Sequence, residues 1–175
     1  MPIIVCPLSR ASVLAREHGP SRIVSLLDPG TPFPLIESHL PDRHLRVSVH
    51  DIEVDLDGHD VPGEAHMRDI LAFVQGWERD APILIHCYAG ISRSTATAFI
   101  TACAHNPETD EARIALALRA ASPTASPNRR FVALADAALG RRGRMVAAIE
   151  GIGRGASWLE IGEAQPFTLA SAFPK

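Results

Sequence analysis

Lysine is almost missing from this chain. Lys175 is the only one in 175 residues, so nearly all of the 17 basic side chains are arginine. With abundant alanine, that is the composition of a GC-rich, bacterial genome. Net charge is small as well, −3 with histidines neutral, which leaves no bulk attraction for nucleic acid or an anionic membrane. No apolar run approaches the roughly 20 residues that span a bilayer. Met1-Pro2-Ile3-Ile4-Val5 lacks the charged lead and long apolar stretch of a signal peptide. Cysteine is limited to Cys6, Cys87 and Cys103, odd in number and too widely spaced for metal-type pairing. These absences point to a reducing cytoplasm, with no disulfide framework, no metal and no other cofactor.

What is present suffices for one globular unit. The chain is 46% hydrophobic and long enough to bury a core. Residues 2–6, 22–27 and 44–49 read as short strands, the last alternating. Ser9 is placed to cap a helix reaching His18. Between the second and third strands, Pro29, Pro32, Pro34 and Pro41 mark an irregular excursion. Met67, Ile70, Leu71, Val74 and Trp77 fall on one face of a helix spanning about residues 63–77, with Pro62 as its start signal. Further helices are expected over about 94–104, 108–120 and 129–139. After Gly140 the periodic signal fades, and Gly151, Gly153 and Gly155 argue against one continuous helix. Alternating strands and helices predict an α/β fold with a central, mainly parallel sheet. Ligands of such sheets bind at the C-terminal ends of the strands.

One stretch carries the chemistry: Ile83-Leu84-Ile85-His86-Cys87-Tyr88-Ala89-Gly90-Ile91-Ser92-Arg93-Ser94. A continuously apolar strand, as expected for a central parallel one, delivers Cys87 to a tight loop that opens into a helix. Backbone N–H groups of such a loop, with the first turn of the helix, form a cradle for a tetrahedral oxyanion. Arg93 can add two parallel N–H bonds to the same anion. In that positive field Cys87 should be held as thiolate, the nucleophilic form.

His-Cys-x-x-Gly-x-x-Arg-Ser resembles the signature of the cysteine-dependent protein tyrosine phosphatases, and His-Cys-x-Ala-Gly-x-Ser-Arg-Ser is most similar to their small dual-specificity branch. The bare Cys-x5-Arg spacing also occurs in low-molecular-weight and rhodanese-related phosphatases. The likeness covers roughly residues 20–140 and is strongest over 83–99. It implies a phosphatase domain over residues 1–140, with residues 141–175 an extension packed on that domain or on a partner. Cys87 is then the nucleophile that accepts the phosphoryl group, and Arg93 the guanidinium that binds it. Backbone N–H groups of Tyr88, Ala89, Gly90, Ile91, Ser92 and Arg93 would meet the equatorial oxygens, where phosphoryl transfer spreads its charge. Gly90 serves a close approach or an unusual φ. His86 would bond at the strand–loop junction and help keep Cys87 ionised, which is compatible with a satisfied core histidine. Ser94 would help the thiophosphate break down, and it is also a helix N-terminal hydroxyl.

The resemblance further implies a general acid on a loop before the signature. Asp51, Asp55, Asp57 and Asp60 lie 36, 32, 30 and 27 residues ahead of Cys87. Asp51 is favoured because it directly follows the third strand and should leave the sheet at the edge where Cys87 sits. The other three stand farther out in an acidic loop that looks solvated. The loop is a few residues long for the family. Asp55-x-Asp57-Gly58-x-Asp60 faintly resembles a calcium loop but lacks the terminal bidentate Glu. Asn128, after Ser-Pro, either braces the phosphate loop, as in the family, or caps the following helix.

The implied activity is hydrolysis of phosphotyrosine, with phosphoserine and phosphothreonine as further substrates, on a phosphorylated protein or peptide. The alternative is a phosphatase for a small or polyphosphorylated molecule such as an inositol phosphate. Lysines in the loop, which favour inositol phosphates in lipid-phosphatase relatives, are missing. A phosphate-binding module without turnover and a sulfurtransferase are disfavoured by the intact Cys87, Arg93, Ser94 and acid loop. The sequence leaves the physiological substrate and the oligomeric state open.

Overall fold

In the computed structural model, which describes residues 1–36, 41–155 and 161–174, the sheet order explains where everything functional ends up. Strands β1 (Ile3–Pro7), β2 (Arg22–Leu27), β3 (His44–Ser48), β4 (Ile83–Cys87) and β5 (Phe167–Leu169) are arranged β3-β2-β4-β1-β5. The first four run parallel, and β5 adds antiparallel to β1. β4 is central and buried along its whole length, as its unbroken apolar run requires. Each fully buried Ile, Val or Leu contributes about 1.5–3 kcal/mol of transfer free energy. Parallel pairing puts the C-terminal ends of β2, β3 and β4 on one edge. Asp28, Asp51 and Cys87 follow or end those strands, so three residues distant in sequence leave the sheet together.

Helix α1 (Leu8–His18) covers one sheet face with Ala11, Leu14 and Ala15, against Ile4, Cys6, Ile23 and Leu84. Helices α2 (Glu64–Gln75), α3 (Arg93–His105), α4 (Glu111–Ala121), α5 (Arg129–Ala138) and α6 (Arg144–Ile152) lie on the other. α3 is buried from Arg93 to Cys103. It can be so because its residues are small and its threonines bond back one turn, Thr97 Oγ1 to Arg93 O at 2.9 Å and Thr101 Oγ1 to Thr97 O at 2.7 Å.

Three local expectations change. Ser9 does not cap α1: the helix starts at Leu8 behind Pro7, and the Ser9 hydroxyl donates to Glu163 instead. α4 begins at Glu111, capped by the Asp110 carboxylate, which accepts from Ala112 N. The tail does hold a helix, α6, because Asp136 accepts from Gly143 N at 2.6 Å and Met145 N at 2.8 Å and so caps its start. Two of the arginines before and in it are structural. Arg141, 5% exposed, and Arg144 both pair with the buried Glu111, at 2.9 and 3.0 Å. Among the described residues no helix is long and apolar enough to cross a membrane.

Candidate active site

The loop after β4 is shaped by what holds its carbonyls. Tyr88 O accepts from Leu8 N at 3.0 Å, Ala89 O from Ala164 N at 2.8 Å, Ile91 O from Ser126 N at 2.9 Å, and Ser92 O from Ala96 N at 2.9 Å. In a planar trans peptide the next residue's N–H points opposite to the carbonyl. With these carbonyls drawn outward to the scaffold, the N–H groups of Ala89, Gly90, Ser92 and Arg93 turn the other way, into the loop. Gly90 is needed on both counts anticipated for it. Its φ is +74°, and a Cβ there would stand 2.8 Å from Pro7 N and 3.0 Å from Cys6 C.

Cys87 ends β4, 2% exposed, with Sγ 3.1 Å from the hydroxyl of Ser94 in the first turn of α3. The other two thiols are packed away from chemistry. Burial, with the neighbouring Cys87 charge adding to it, pushes the Cys6 thiol up to about 12. Burial raises Cys103 as well.

Arg93 is the first residue of α3 and only 3% exposed. Its Nη1 donates to Asp28 Oδ1 and to Val49 O, both at 2.7 Å, which fixes the plane of the guanidinium. Its Nε is buried without a hydrogen-bond partner. An orphaned buried donor beside a ring of inward N–H groups is a place for an anion.

The carboxylate nearest this donor belongs to Asp51. Asp51 Oδ1 accepts from Ser92 Oγ at 2.6 Å and Asn128 Nδ2 at 2.8 Å, while Oδ2 lies 3.8 Å from Arg93 Nε. Asn128 also caps α5 through Oδ1, which accepts from Phe131 N at 3.1 Å. The remaining acidic candidates lie in the exposed stretch of the loop. Asp55 is 82% exposed and pairs with Arg130 at 3.0 Å, and Asp57 and Asp60 are exposed. The extra length of the loop is pinched off at its base. His50 N donates to Asp60 O, and Asp60 N donates to His50 Nδ1, both at 2.9 Å. Of the residues between them, Asp51 to Glu53 stay against the site and Val54 to His59 are exposed.

His86 lies at the strand–loop junction as expected, 0% exposed, with Nδ1 3.3 Å from Cys87 O and Nε2 2.6 Å from Ser25 Oγ. A carbonyl only accepts, so Nδ1 carries a proton. Burial holds the imidazole pKa down to about 4. The ring is therefore neutral near pH 7 and acts on Cys87 through this bond, with no charge to offer. Nε2 then accepts from Ser25, whose oxygen in turn meets His44 Nε2 at 2.7 Å.

A groove of about 590 Å³ opens beside the loop, bordered by Asp51, Ile52, Val54, Ile91, Ser92 and Arg154 among others. Among the described residues no group of three or more His, Cys, Asp or Glu is placed to hold a metal ion.

Residues 55–122 match the family model of the protein-tyrosine phosphatases. That segment is similar to the protein-tyrosine phosphatases. It contains Cys87, the loop, Arg93 and Ser94, and leaves out Asp51 and Asn128. A crystallised mouse putative dual specificity phosphatase complexed with zinc tungstate is 21% identical, TM-score 0.57, over 81% of this chain and 84% of its own. Human DUSP28 is 18% identical at TM-score 0.59, over 79% of this chain and 91% of its own. The human tyrosine phosphatase-like serine/threonine/tyrosine-interacting protein is 20% identical at 0.59, with the same coverage. At such identities the likeness is one of fold alone. Among curated protein sequences none matches the chain.

Three contributors to the loop escaped the sequence reading. Asp28 anchors Arg93, the Ser92 hydroxyl anchors Asp51, and Ser25 anchors His86. The signal for Ser25 and Asp28 is their position on and just past β2, the strand next to β4. The order of strands, which only the fold supplies, turns that into contact.

Proposed function

We propose that this protein is a cysteine-dependent phosphatase acting on phosphotyrosine, and on phosphoserine or phosphothreonine, in a protein or peptide. The observation that carries the reading is that Arg93 Nε, buried without a hydrogen bond, faces Asp51 Oδ2 across 3.8 Å. This pair stands by the loop after Cys87, whose inward N–H groups begin at Ala89.

The phosphate dianion sits on the N–H groups of residues 88–93 and on the Nε side of Arg93, which are placed for charge on its equatorial oxygens. Cys87 Sγ forms a bond to phosphorus as the P–O bond to the phenol breaks. Asp51 gives its proton to the departing oxygen. The resulting Asp51 carboxylate then takes a proton from water. That water's oxygen attacks phosphorus, the S–P bond breaks, and inorganic phosphate leaves. Ser94 Oγ, 3.1 Å from Sγ, donates to the sulfur as it regains its charge. Ser92 and Asn128 occupy only Oδ1 of Asp51, so Oδ2 is available for the proton. The absence of lysine from residues 88–93 supports phosphotyrosine over an inositol phosphate.

Turnover of a phosphotyrosine peptide, an inositol phosphate and a nucleotide by wild type and Cys87→Ser tests this reading. Peptide hydrolysis should be lost with Cys87→Ser, survive a chelator and be blocked by vanadate. Near-wild-type turnover by Cys87→Ser would overturn it, as would a need for added divalent metal. Preference for the inositol phosphate would move the substrate class.

A further inference from the structure

Both shoulders of the phosphate loop rest on the C-terminal segment. On one side, Ala164 N donates to Ala89 O at 2.8 Å. On the other, Ser126 N holds Ile91 O, and the Ser126 hydroxyl accepts from Gly155 N at 2.9 Å. Gly155 is packed so tightly that a Cβ would meet Thr124 C at 2.5 Å. Arg154 lies 3.5 Å from Glu53, whose other oxygen accepts from Arg129 N at 3.0 Å, so the same piece of chain touches the acid loop.

The Ala164 contact is the most specific. Ala164 is 3% exposed, and its neighbour Glu163 is clasped by Ser9 Oγ, 2.9 Å from each carboxylate oxygen. Ser9 lies in the first turn of α1, whose Leu8 N holds the adjacent loop carbonyl, Tyr88 O. The helix start and the tail thus hold two consecutive peptides. Because the Ala89 carbonyl is drawn out to Ala164, the Gly90 N–H faces inward. Gly90 has φ of +74°, outside the range an ordinary residue holds, so nothing intrinsic to the loop fixes that peptide.

We propose that Ala164 is a positioning residue of the anion site: its backbone N–H sets the Ala89–Gly90 peptide so that the Gly90 N–H faces the bound phosphate. The C-terminal segment is then a working part of the site, beyond the part of the chain that matches the family model. This rests on the phosphatase reading above. It explains why a surface clasp, Ser9 to Glu163, joins residues 154 positions apart.

The test is orthovanadate inhibition and aryl-phosphate kinetics of the full chain as wild type, Ala164→Pro, Ala164→Ser and Glu163→Ala, each with its thermal midpoint. Losing one oxyanion donor costs about 10²–10³ in kcat. Ala164→Pro, which lacks the N–H, should weaken vanadate binding and lower kcat by about tenfold or more. Ala164→Ser, which keeps the N–H, should restore both. Glu163→Ala should move the same two parameters in the same direction by less, with an unchanged midpoint. A purely structural role would lower the midpoint and leave vanadate affinity per folded molecule alone, and that result overturns the proposal. If Ala164→Pro does not fold, Glu163→Ala decides, and wild-type vanadate affinity there overturns it. Should wild type itself neither bind vanadate nor turn over, the phosphatase reading fails and this inference falls with it.

Discussion

Asn128 joins α5 to Asp51 with the two ends of one amide: Oδ1 accepts from Phe131 N at 3.1 Å, and Nδ2 donates to Asp51 Oδ1 at 2.8 Å. The two roles weighed for it, helix cap and brace of the site, are compatible because an amide carries an acceptor and a donor on separate atoms. Its geometry also fixes the amide orientation, since the reverse would face nitrogen to N–H and oxygen to carboxylate.

Substitution at Asn128 should therefore separate the roles. Asn128→Ala loses both and should cost about 1 kcal/mol in stability through the cap alone, along with activity. Asn128→Asp keeps the cap but sets a second carboxylate against Asp51. Its stability near neutral pH should be closer to wild type, while phosphotyrosine turnover should drop at least as far as in the alanine variant. Urea midpoints and kcat on the same preparations check this. Equal losses of both quantities in the two variants would mean that Asn128 acts only as a cap.

Arg93 is held by Asp28 and Val49 O through Nη1. Arg93→Lys keeps the charge but cannot bond both anchors and still present a planar edge to the anion. A loss in kcat/KM of about 10²-fold or more is expected, the scale of a missing oxyanion donor. Asp28→Asn, which keeps an acceptor at the anchor, should be much milder. Near-wild-type kcat/KM for Arg93→Lys would mean that Arg93 does not contact phosphate through two donors.

His86 gives a pH dependence of stability with a definite sign. Burial holds its folded pKa to about 4, below the ordinary 6.5. Between those values the unfolded chain binds a proton that the folded one does not, so unfolding is favoured as pH falls. Stability should be unaffected by His86 above about 6.5, decline from there to about 4, and level off below. At 1.36 kcal/mol per pKa unit the whole effect is about 3 kcal/mol. His86→Gln should be less stable at pH 7 because the Ser25 and Cys87 contacts are disturbed. Its stability should also fall less steeply than that of wild type from pH 6.5 to 4. Parallel curves for the two proteins would show that His86 does not remain neutral in the fold.

The sequence was most readable where the chemistry is contiguous. Cys87, the loop, Arg93 and Ser94 occupy eight consecutive positions, so one strand, one turn and one helix start define them. Asp51 was also reachable, because a residue just past a parallel strand must emerge at the common edge. Asp28 and Ser25 were not, since their roles depend on β2 lying beside β4, a neighbour relation across about 60 residues of chain. The tail was hardest. α6 has a glycine inside it and owes its start to Asp136 and its anchoring to Glu111, contacts with no local sequence signature. Ala164 acts through its backbone, so its side chain could not have announced it.

Asp51 as general acid is the assignment with most at stake, because it lies outside the segment that matches the family model. A tyrosine leaving group has a pKa of about 10, so its oxygen must gain a proton as the P–O bond breaks. An activated nitrophenol leaves readily as the anion and needs little help. Asp51→Asn is a clean probe: the amide oxygen can still accept from Ser92 Oγ and Asn128 Nδ2, so the local bonds survive while the transferable proton is lost. Phosphotyrosine hydrolysis should fall by the ~10²–10⁴-fold typical of general acid catalysis. The loss on the nitrophenyl ester should be clearly smaller, so rate should depend more steeply on leaving-group pKa. Asp55, exposed and paired with Arg130, and the exposed Asp57 and Asp60 supply the controls. Their Asn variants should show modest effects, similar for both leaving groups. If one of them instead gives the selective loss and Asp51→Asn does not, the exposed stretch from Val54 to Asp60 folds over the site when substrate binds. The proton would then come from that loop and not from the residue that follows β3.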